Sequence, residues 1–112
     1  MFKVISEGSV RTFTHDVRVL MPTDDGHTEE TLRTVFAYLD SDEVSTFNLA
    51  TQQGTSDFLE KAVKTFTHLV DDDGQAVACT PELRAKLLKN SSIRLALSTH
   101  YFSAVTKVPE GN

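Results

Sequence analysis

Apolar and polar residues alternate along two segments near the start of the chain, a pattern typical of β-strands. From Arg11 to Met21, every second residue from Phe13 onward belongs to one mostly apolar face, which is the period of a half-buried strand. Leu32 to Leu39 repeats the alternation. The link between them, residues 22–29, contains two aspartates and a glycine and can return the chain. The pattern predicts an antiparallel hairpin, with Phe2 to Ile5 as a possible short third strand.

A helical period replaces the alternation between Phe58 and Val70. At ~100° per residue, the apolar side chains of this segment fall within an arc of roughly 140°. They are Phe58, Leu59, Ala62, Val63, Phe66, Leu69 and Val70. The segment is therefore predicted to be one amphipathic helix with a single side facing solvent.

Short polar motifs indicate the ends of the central helices. Asp40 followed by Glu43 is typical of a capping box and predicts a short helix that ends at Gly54. Thr55 or Ser56 is then expected to cap the amphipathic helix.

Two more helices are predicted towards the C-terminus. Thr80 and Pro81 are favoured as the N-cap and first residue of a helix that continues through Lys89. One of residues 90–92, Asn-Ser-Ser, is expected to cap a last helix that runs to about Val105.

The last helix carries apolar residues on two faces. Its main stripe is formed by Ile93, Ala96, Leu97, His100, Tyr101 and Ala104. Leu95 and Phe102 project from nearly the opposite side. Such a helix either lies enclosed within its own domain, the arrangement we slightly favour, or exposes an apolar patch to another molecule.

These elements predict a single α+β domain over residues 1–107, in which a small N-terminal antiparallel sheet packs against about four C-terminal helices. Residues 108–112 are expected to form a flexible tail. A chain of 112 residues can bury one core, and its single cysteine, Cys79, excludes an intramolecular disulfide. The sequence has neither the apolar run of ~18 residues of a membrane helix nor the pattern of a signal peptide, so we expect a soluble cytoplasmic protein.

Charge is unevenly distributed along the chain. The formal net charge is −5 at pH 7, but residues 83–112 hold 5 basic and 1 acidic side chains, against 6 basic and 15 acidic in residues 1–82. The basic end lacks the Gly-rich loop, stacking aromatics or Arg-dense run of a nucleic-acid site, and the acidic remainder repels phosphates. We expect binding to neither nucleic acid nor membrane.

Residues that could carry chemistry all have simpler interpretations. Residues 71–74, Asp-Asp-Asp-Gly, lack the alternating ligands and the later glutamate of an EF-hand, so we interpret them as a turn. The four histidines have no second histidine or cysteine three or four residues away, as a helical metal site requires. Cys79 is interpreted as a small apolar residue beside the core. We therefore expect no catalytic residue, no cofactor, no metal and no enzyme activity.

The C-terminal half shows a characteristic order of parts. An amphipathic helix is expected to end in the acidic turn at residues 71–74, and Thr80, Pro81, Glu82 and Leu83 then open a helix that contains Leu87 and Leu88. The last helix presents Ile93, Arg94, Ala96, Leu97, Tyr101 and Phe102. Upstream, the strand Thr34 to Leu39 runs directly into Ser41, Asp42 and Glu43. Over about residues 10–106, this order resembles the tail assembly chaperones of long-tailed, lambda-like bacteriophages.

The resemblance implies a non-enzymatic protein that acts in the cytoplasm of the infected host and is absent from the mature virion. It implies that the chain binds and solubilises the tape measure protein and helps to recruit tail tube subunits. The family often also makes a longer product by ribosomal frameshifting, and residues 108–112 are where the two products would diverge. No cofactor is implied.

Candidate contact residues follow from the two-faced helix and from the charge distribution. Binding of the helical tape measure protein is expected at Arg94, Leu95, Tyr101, Phe102 and Val105. The basic C-terminal part against the acidic remainder predicts head-to-tail self-association, through Arg84, Lys86 and Lys89.

Two alternative functions remain open. A structural tail or connector subunit of the virion shares the size, acidity and α+β character of a tail chaperone, and a small host-directed regulator has no signature that excludes it. Presence in purified particles separates a structural subunit from a chaperone, which leaves before assembly is complete.

Overall fold

The secondary structure alternates between paired strands and helices along residues 1–6 and 8–106, which the computed structural model describes. In chain order the elements are β1 (Thr12–Thr23), β2 (Gly26–Ala37), α1 (Ser41–Val44), α2 (Gln52–Ala62), β3 (Val63–Thr67), β4 (Leu69–Val70), β5 (Ala76–Val77), α3 (Pro81–Leu88) and α4 (Ser91–Val105). One sheet has the order β1-β2-β3, and β4 pairs with β5. The predicted α+β class is confirmed. The predicted tail at residues 108–112 lies outside the described residues.

β1 and β2 form a long antiparallel hairpin, as the alternation predicted. Thr12 pairs with Ala37 at one end and Thr23 with Gly26 at the other, so only two residues make the turn. Residues 22–29, expected to be a link, therefore lie mostly within the strands. The alternation underestimated the length of the strands because this end of the hairpin is exposed on both faces and so carries no apolar pattern. Main-chain pairing does not need apolar side chains.

The third strand of the sheet is β3, which pairs antiparallel with β2. Two predictions are wrong here, because residues 2–5 form no strand in the described chain and the helix predicted for Phe58 to Val70 ends at Ala62. The β-branched residues Val63, Thr65 and Thr67 favour an extended chain, and β2 offers them an edge to pair with.

A β-bulge explains why the sequence of β3 has the period of a helix. Thr65 lies opposite Val35 and Val63 lies opposite Phe36, which leaves Lys64 as an extra residue in β3. Because of this extra residue, Val63 and Phe66 are both buried although they are three positions apart. The periodicity identified these core residues but assigned them the wrong conformation.

The central helices begin at other residues than predicted. Asp40 does occupy the N-cap position of α1, but its side chain makes no capping hydrogen bond and α1 ends at Val44. Thr51, instead of Thr55 or Ser56, caps α2 by accepting a hydrogen bond from the backbone N–H of Gly54. Gly54 therefore lies in the first turn of α2 and does not end a helix.

The two C-terminal helices agree with the prediction. The Thr80 hydroxyl accepts a hydrogen bond from the Leu83 N–H, and the Asn90 side chain accepts one from the Ile93 N–H. The turn at residues 71–74 is also confirmed, but it closes the β4–β5 hairpin and does not end a helix.

A single core joins the sheet to the helices. α4 lies against β1, and α2 packs against both α4 and β2. The largest fully buried side chains come from these elements and β3, and include Phe36, Phe58, Leu59, Phe66, Leu97 and Tyr101. The core therefore fixes which side of α4 faces outwards.

Candidate functional site

The inner face of α4 is a core face. Ile93, Leu97 and Tyr101 are buried, as the main stripe of the predicted helix required. Tyr101 is only 1% exposed, and its hydroxyl accepts a hydrogen bond from the backbone N–H of Leu39 at 2.9 Å. Burial raises the pKa of this phenol above its ordinary value. The prediction that Tyr101 contacts a partner is therefore wrong.

The second apolar face of α4 is covered in part by α2. The ring of Phe102 stacks on that of Phe58, with centroids 5.1 Å apart and planes 17° apart, and meets Tyr101 edge to face. Phe102 is half-buried and packs against the core. It therefore stabilises the domain and presents only part of its ring to solvent.

Leu95 remains the exposed apolar residue of α4. Its side chain is 71% exposed and stands between two grooves that run on either side of the helix. The α2-side groove, of about 430 Å³, is lined by Leu49, Thr51, Thr55, Arg94, Ser98 and Phe102. The β1-side groove, of about 600 Å³, is lined by Asp16, Arg18, Leu20, Ser92, Ala96, Thr99, His100 and Ser103.

The α2-side groove combines apolar contact with one positive charge. Phe102 and Leu49 provide apolar surface, and Arg94, which is half-buried, is the one charged side chain among the described residues that line it. The Ser98 Oγ atom is buried and has no hydrogen-bond partner in the described part of the chain. The groove therefore offers an incoming chain a hydrophobic contact and the Arg94 cation.

The β1-side groove has one wall from a helix and one from a strand edge. The α4 residues that line it, from Ser92 to Ser103, follow i, i+3, i+4 spacing and are mostly small. The other wall is β1, the first strand of the β1-β2-β3 sheet. Val105, the remaining predicted contact, is half-buried and lines a smaller hollow of about 240 Å³ beside the start of β1.

A histidine pair links β1 to α4 beside the β1-side groove, which His100 lines. His15 Nδ1 on β1 and His100 Nε2 on α4 are 2.9 Å apart and share a hydrogen bond. The pKa of His100 lies below its ordinary value, first because the ring is partly buried and second because His15 is so close. The two histidines are 85 residues apart in the sequence, so no local spacing could have indicated the pair.

The predicted self-association residues differ in their surroundings. Arg84 donates hydrogen bonds to the backbone carbonyls of Glu60 and Val63 and pairs with the Glu60 carboxylate at 2.8 Å. Its guanidinium is therefore engaged within its own molecule, and self-association through Arg84 stays a prediction. Lys86 and Lys89 are exposed to solvent.

Of the other residues considered for chemistry, His27 also lines the β1-side groove, whereas residues 71–74 and Cys79 line neither groove. The Asp71 carboxylate accepts hydrogen bonds from the backbone N–H groups of Asp73 and Gln75, within the hairpin turn. Cys79 is half-buried and its Sγ atom lies 4.0 Å from the Thr80 carbonyl oxygen. Within residues 1–6 and 8–106, no three His, Cys, Asp or Glu side chains converge as a metal site, and no helix has the length and apolar character to cross a membrane.

Comparison with known proteins adds no relative. No family model, curated protein or solved structure matches this chain.

Proposed function

We propose that this chain is a non-enzymatic tail assembly chaperone of a long-tailed bacteriophage. It binds the tape measure protein in the host cytoplasm, keeps it in solution and helps to recruit tail tube subunits. The observation that carries the proposal is the exposure of Leu95 beside the α2-side groove.

A helix of the tape measure protein is the occupant that suits this groove. An amphipathic helix binds by laying its apolar stripe on a hydrophobic groove, with charged residues at the rim. Leu95 and the open part of Phe102 supply the apolar contact, and Arg94 supplies a cation for an acidic residue on the partner. A single exposed leucine and a half-buried ring suit a contact that is released when tube subunits replace the chaperone.

The order of parts in the C-terminal half also supports the proposal. The acidic turn closes a short hairpin, Thr80 and Pro81 begin α3, and α3 leads through Asn90 into α4. α3 and α4 are among the parts that carry the resemblance to tail assembly chaperones, whereas the helix expected to lead into the acidic turn ends at Ala62.

Co-expression with the tape measure protein of the same phage tests the proposal. We expect the wild-type chain to copurify with the tape measure protein and to raise its soluble fraction, and Leu95→Asp to abolish both effects. Val70→Asp is the matched control, because Val70 is 65% exposed but lies on β4 and lines neither groove beside Leu95. Circular dichroism should show that both variants fold, since neither side chain is in the core.

Two results contradict the proposal. One is an unchanged yield of soluble complex with Leu95→Asp. The other is detection of the chain at stoichiometric amounts in purified virions, which favours the structural-subunit alternative. We also expect the gene to lie between those of the tail tube and the tape measure protein.

A further inference from the structure

The first residues of the chain expose an unusual amount of apolar surface. Phe2 and Val4 are 82% and 84% exposed, and Met1, Ile5 and Val10 are also exposed large hydrophobic residues. No helix or strand includes residues 1–6. We call residues 1–6 the N-terminal arm. A water-soluble monomer gains nothing from such a cluster, and exposed apolar groups of this kind mark interaction sites.

Within its own molecule the arm is held only lightly. The Arg11 guanidinium donates a hydrogen bond to the Lys3 carbonyl and lies 4.9 Å above the Phe2 ring. Phe2, Val4 and Ile5 line a shallow depression with Tyr38, Leu39 and Glu43. None of these residues lines the β1-side groove.

The β1-side groove contains the unpaired edge of a long strand. β2 pairs with one side of β1 over twelve residues, and no described strand pairs with the other side. Unpaired strand edges accept an additional strand, whose main chain completes the ladder while alternate side chains enter neighbouring pockets. The small residues Ala96, Thr99 and Ser103 on the facing side of α4 leave room for such side chains.

We propose that the N-terminal arm of one copy adds as a strand to the β1 edge of a second copy, within the β1-side groove. The proposal does not depend on the tape measure protein. Phe2 and Val4 lie two residues apart, so in an extended arm both side chains point to the same face and enter the groove towards Leu95 and Ala96. The backbone of the arm pairs with residues 16–20.

The lengths of the two partners agree. Six extended residues span about 20 Å, β1 from Asp16 to Leu20 spans about 17 Å, and the α4 stripe from Ser92 to Ser103 rises about 17 Å. Reciprocal exchange places the arm of each copy in the groove of the other. The result is a two-fold dimer, the commonest assembly of identical chains. Two arm–groove contacts bury twice the area of one, which brings the interface closer to the roughly 1,000 Å² that a specific interface needs.

Sedimentation equilibrium of the full chain, without any other protein, tests the proposal. We expect the wild-type chain to change from monomer to dimer as its concentration rises. Phe2→Asp with Val4→Asp, and separately Thr99→Arg, should each raise the dimer dissociation constant at least roughly tenfold. Thr99 is exposed, so the arginine fills the groove without disturbing the core.

Two control variants separate this surface from other contacts. Val70→Asp, with a comparably exposed side chain on β4, should dimerise like the wild type. Leu49→Asp, in the α2-side groove, should also dimerise normally, so a failure of tape measure binding is distinguishable from a failure of self-association. Circular dichroism of each variant checks that it folds.

Mixing the two defective chains gives the sharpest result. The Phe2→Asp, Val4→Asp chain keeps an intact groove and the Thr99→Arg chain keeps an intact arm, so their mixture should associate more tightly than either alone. A wild-type chain that stays monomeric at every concentration overturns the proposal. So does a dimer that neither the arm variant nor Thr99→Arg weakens, because its interface then lies elsewhere.

Discussion

The Tyr101 hydroxyl oxygen lies 2.9 Å from the backbone nitrogen of Leu39 and accepts its hydrogen bond. This contact ties α4 to the segment that follows β2, where the chain leaves the sheet. Tyr101 also packs edge to face on Phe58 of α2, with centroids 5.1 Å apart. One side chain therefore joins the sheet and both long helices.

Tyr101→Phe is expected to destabilise the domain while preserving its packing. The ring is retained, but the partly buried Leu39 N–H loses its acceptor, which costs about 1–3 kcal/mol. Urea denaturation measures the change in the free energy of unfolding. Tyr38→Phe is the control and should have little effect, because that side chain is about half exposed. Equal stability of Tyr101→Phe and wild type would show that the hydrogen bond contributes nothing.

Arg84 is predicted to stabilise the junction between α2 and β3. Its guanidinium donates hydrogen bonds to the backbone carbonyls of Glu60 and Val63. These carbonyls lie at the C-terminal end of α2, where carbonyl groups lack partners within the helix. Arg84→Lys keeps the charge but loses the planar fork, so we expect a loss of about 1–3 kcal/mol in thermal or urea unfolding.

Two further variants separate the parts of the Arg84 contact. Glu60→Gln removes only the ion pair, whose carboxylate is largely exposed, and should cost less than about 1 kcal/mol. Lys86→Ala, on the exposed side of α3, should change stability by less than about 0.5 kcal/mol. If Glu60→Gln lowers the free energy of unfolding as much as Arg84→Lys does, the stabilisation comes from the ion pair and not from the hydrogen bonds to the carbonyls.

Local sequence signals were sufficient where they act within one element. The β1–β2 hairpin follows from alternation, and α3 and α4 begin at Thr80 and Asn90 because side-chain caps act over three residues. The conformation of residues 63–67 was not predictable in this way. Their periodicity fits a helix, and the strand forms because β2 provides a pairing edge and a bulge aligns Val63 with Phe66.

The candidate site was predictable only in part for a similar reason. A helical wheel gives the direction of each α4 side chain, so it separated Leu95 from the core stripe. It cannot tell which neighbour covers each direction. Phe58 covers much of Phe102, whereas Leu95 is left 71% exposed by the described residues. The groove along β1 depends on the position of α4 beside a strand edge, which is a tertiary relationship.

Gly54 provides a third test of the structure. A Cβ atom at this position would lie 1.8 Å from the carbonyl oxygen of Asn48, so the chain before α2 can approach only a glycine. Gly54→Ala should displace the Asn48 segment and cost about 1–3 kcal/mol, although alanine favours helices. Gln53→Ala, at the exposed neighbouring position, is the control for helix propensity. Stabilisation by Gly54→Ala in chemical denaturation would contradict the close approach.

The histidine pair predicts how stability depends on pH. Partial burial, followed by the nearby His15, holds the pKa of His100 below its ordinary value of 6.5, so the folded chain binds this proton less readily than the unfolded chain. The contribution of neutral His100 to the free energy of unfolding is therefore complete above pH 6.5. It is lost as the pH falls through 6.5 towards the lower pKa of His100 in the folded chain.

Urea unfolding of His100→Gln between neutral and mildly acidic pH isolates this effect. The free energy of unfolding should fall less steeply on acidification in His100→Gln than in the wild type, because the variant lacks the group that titrates differently in the two states. Gln53→Ala is the control, since this exposed substitution changes no titratable group, and its slope should match the wild type. NMR titration of the His100 ring should give a midpoint below 6.5. A wild-type slope in His100→Gln would instead assign the acid sensitivity to other groups.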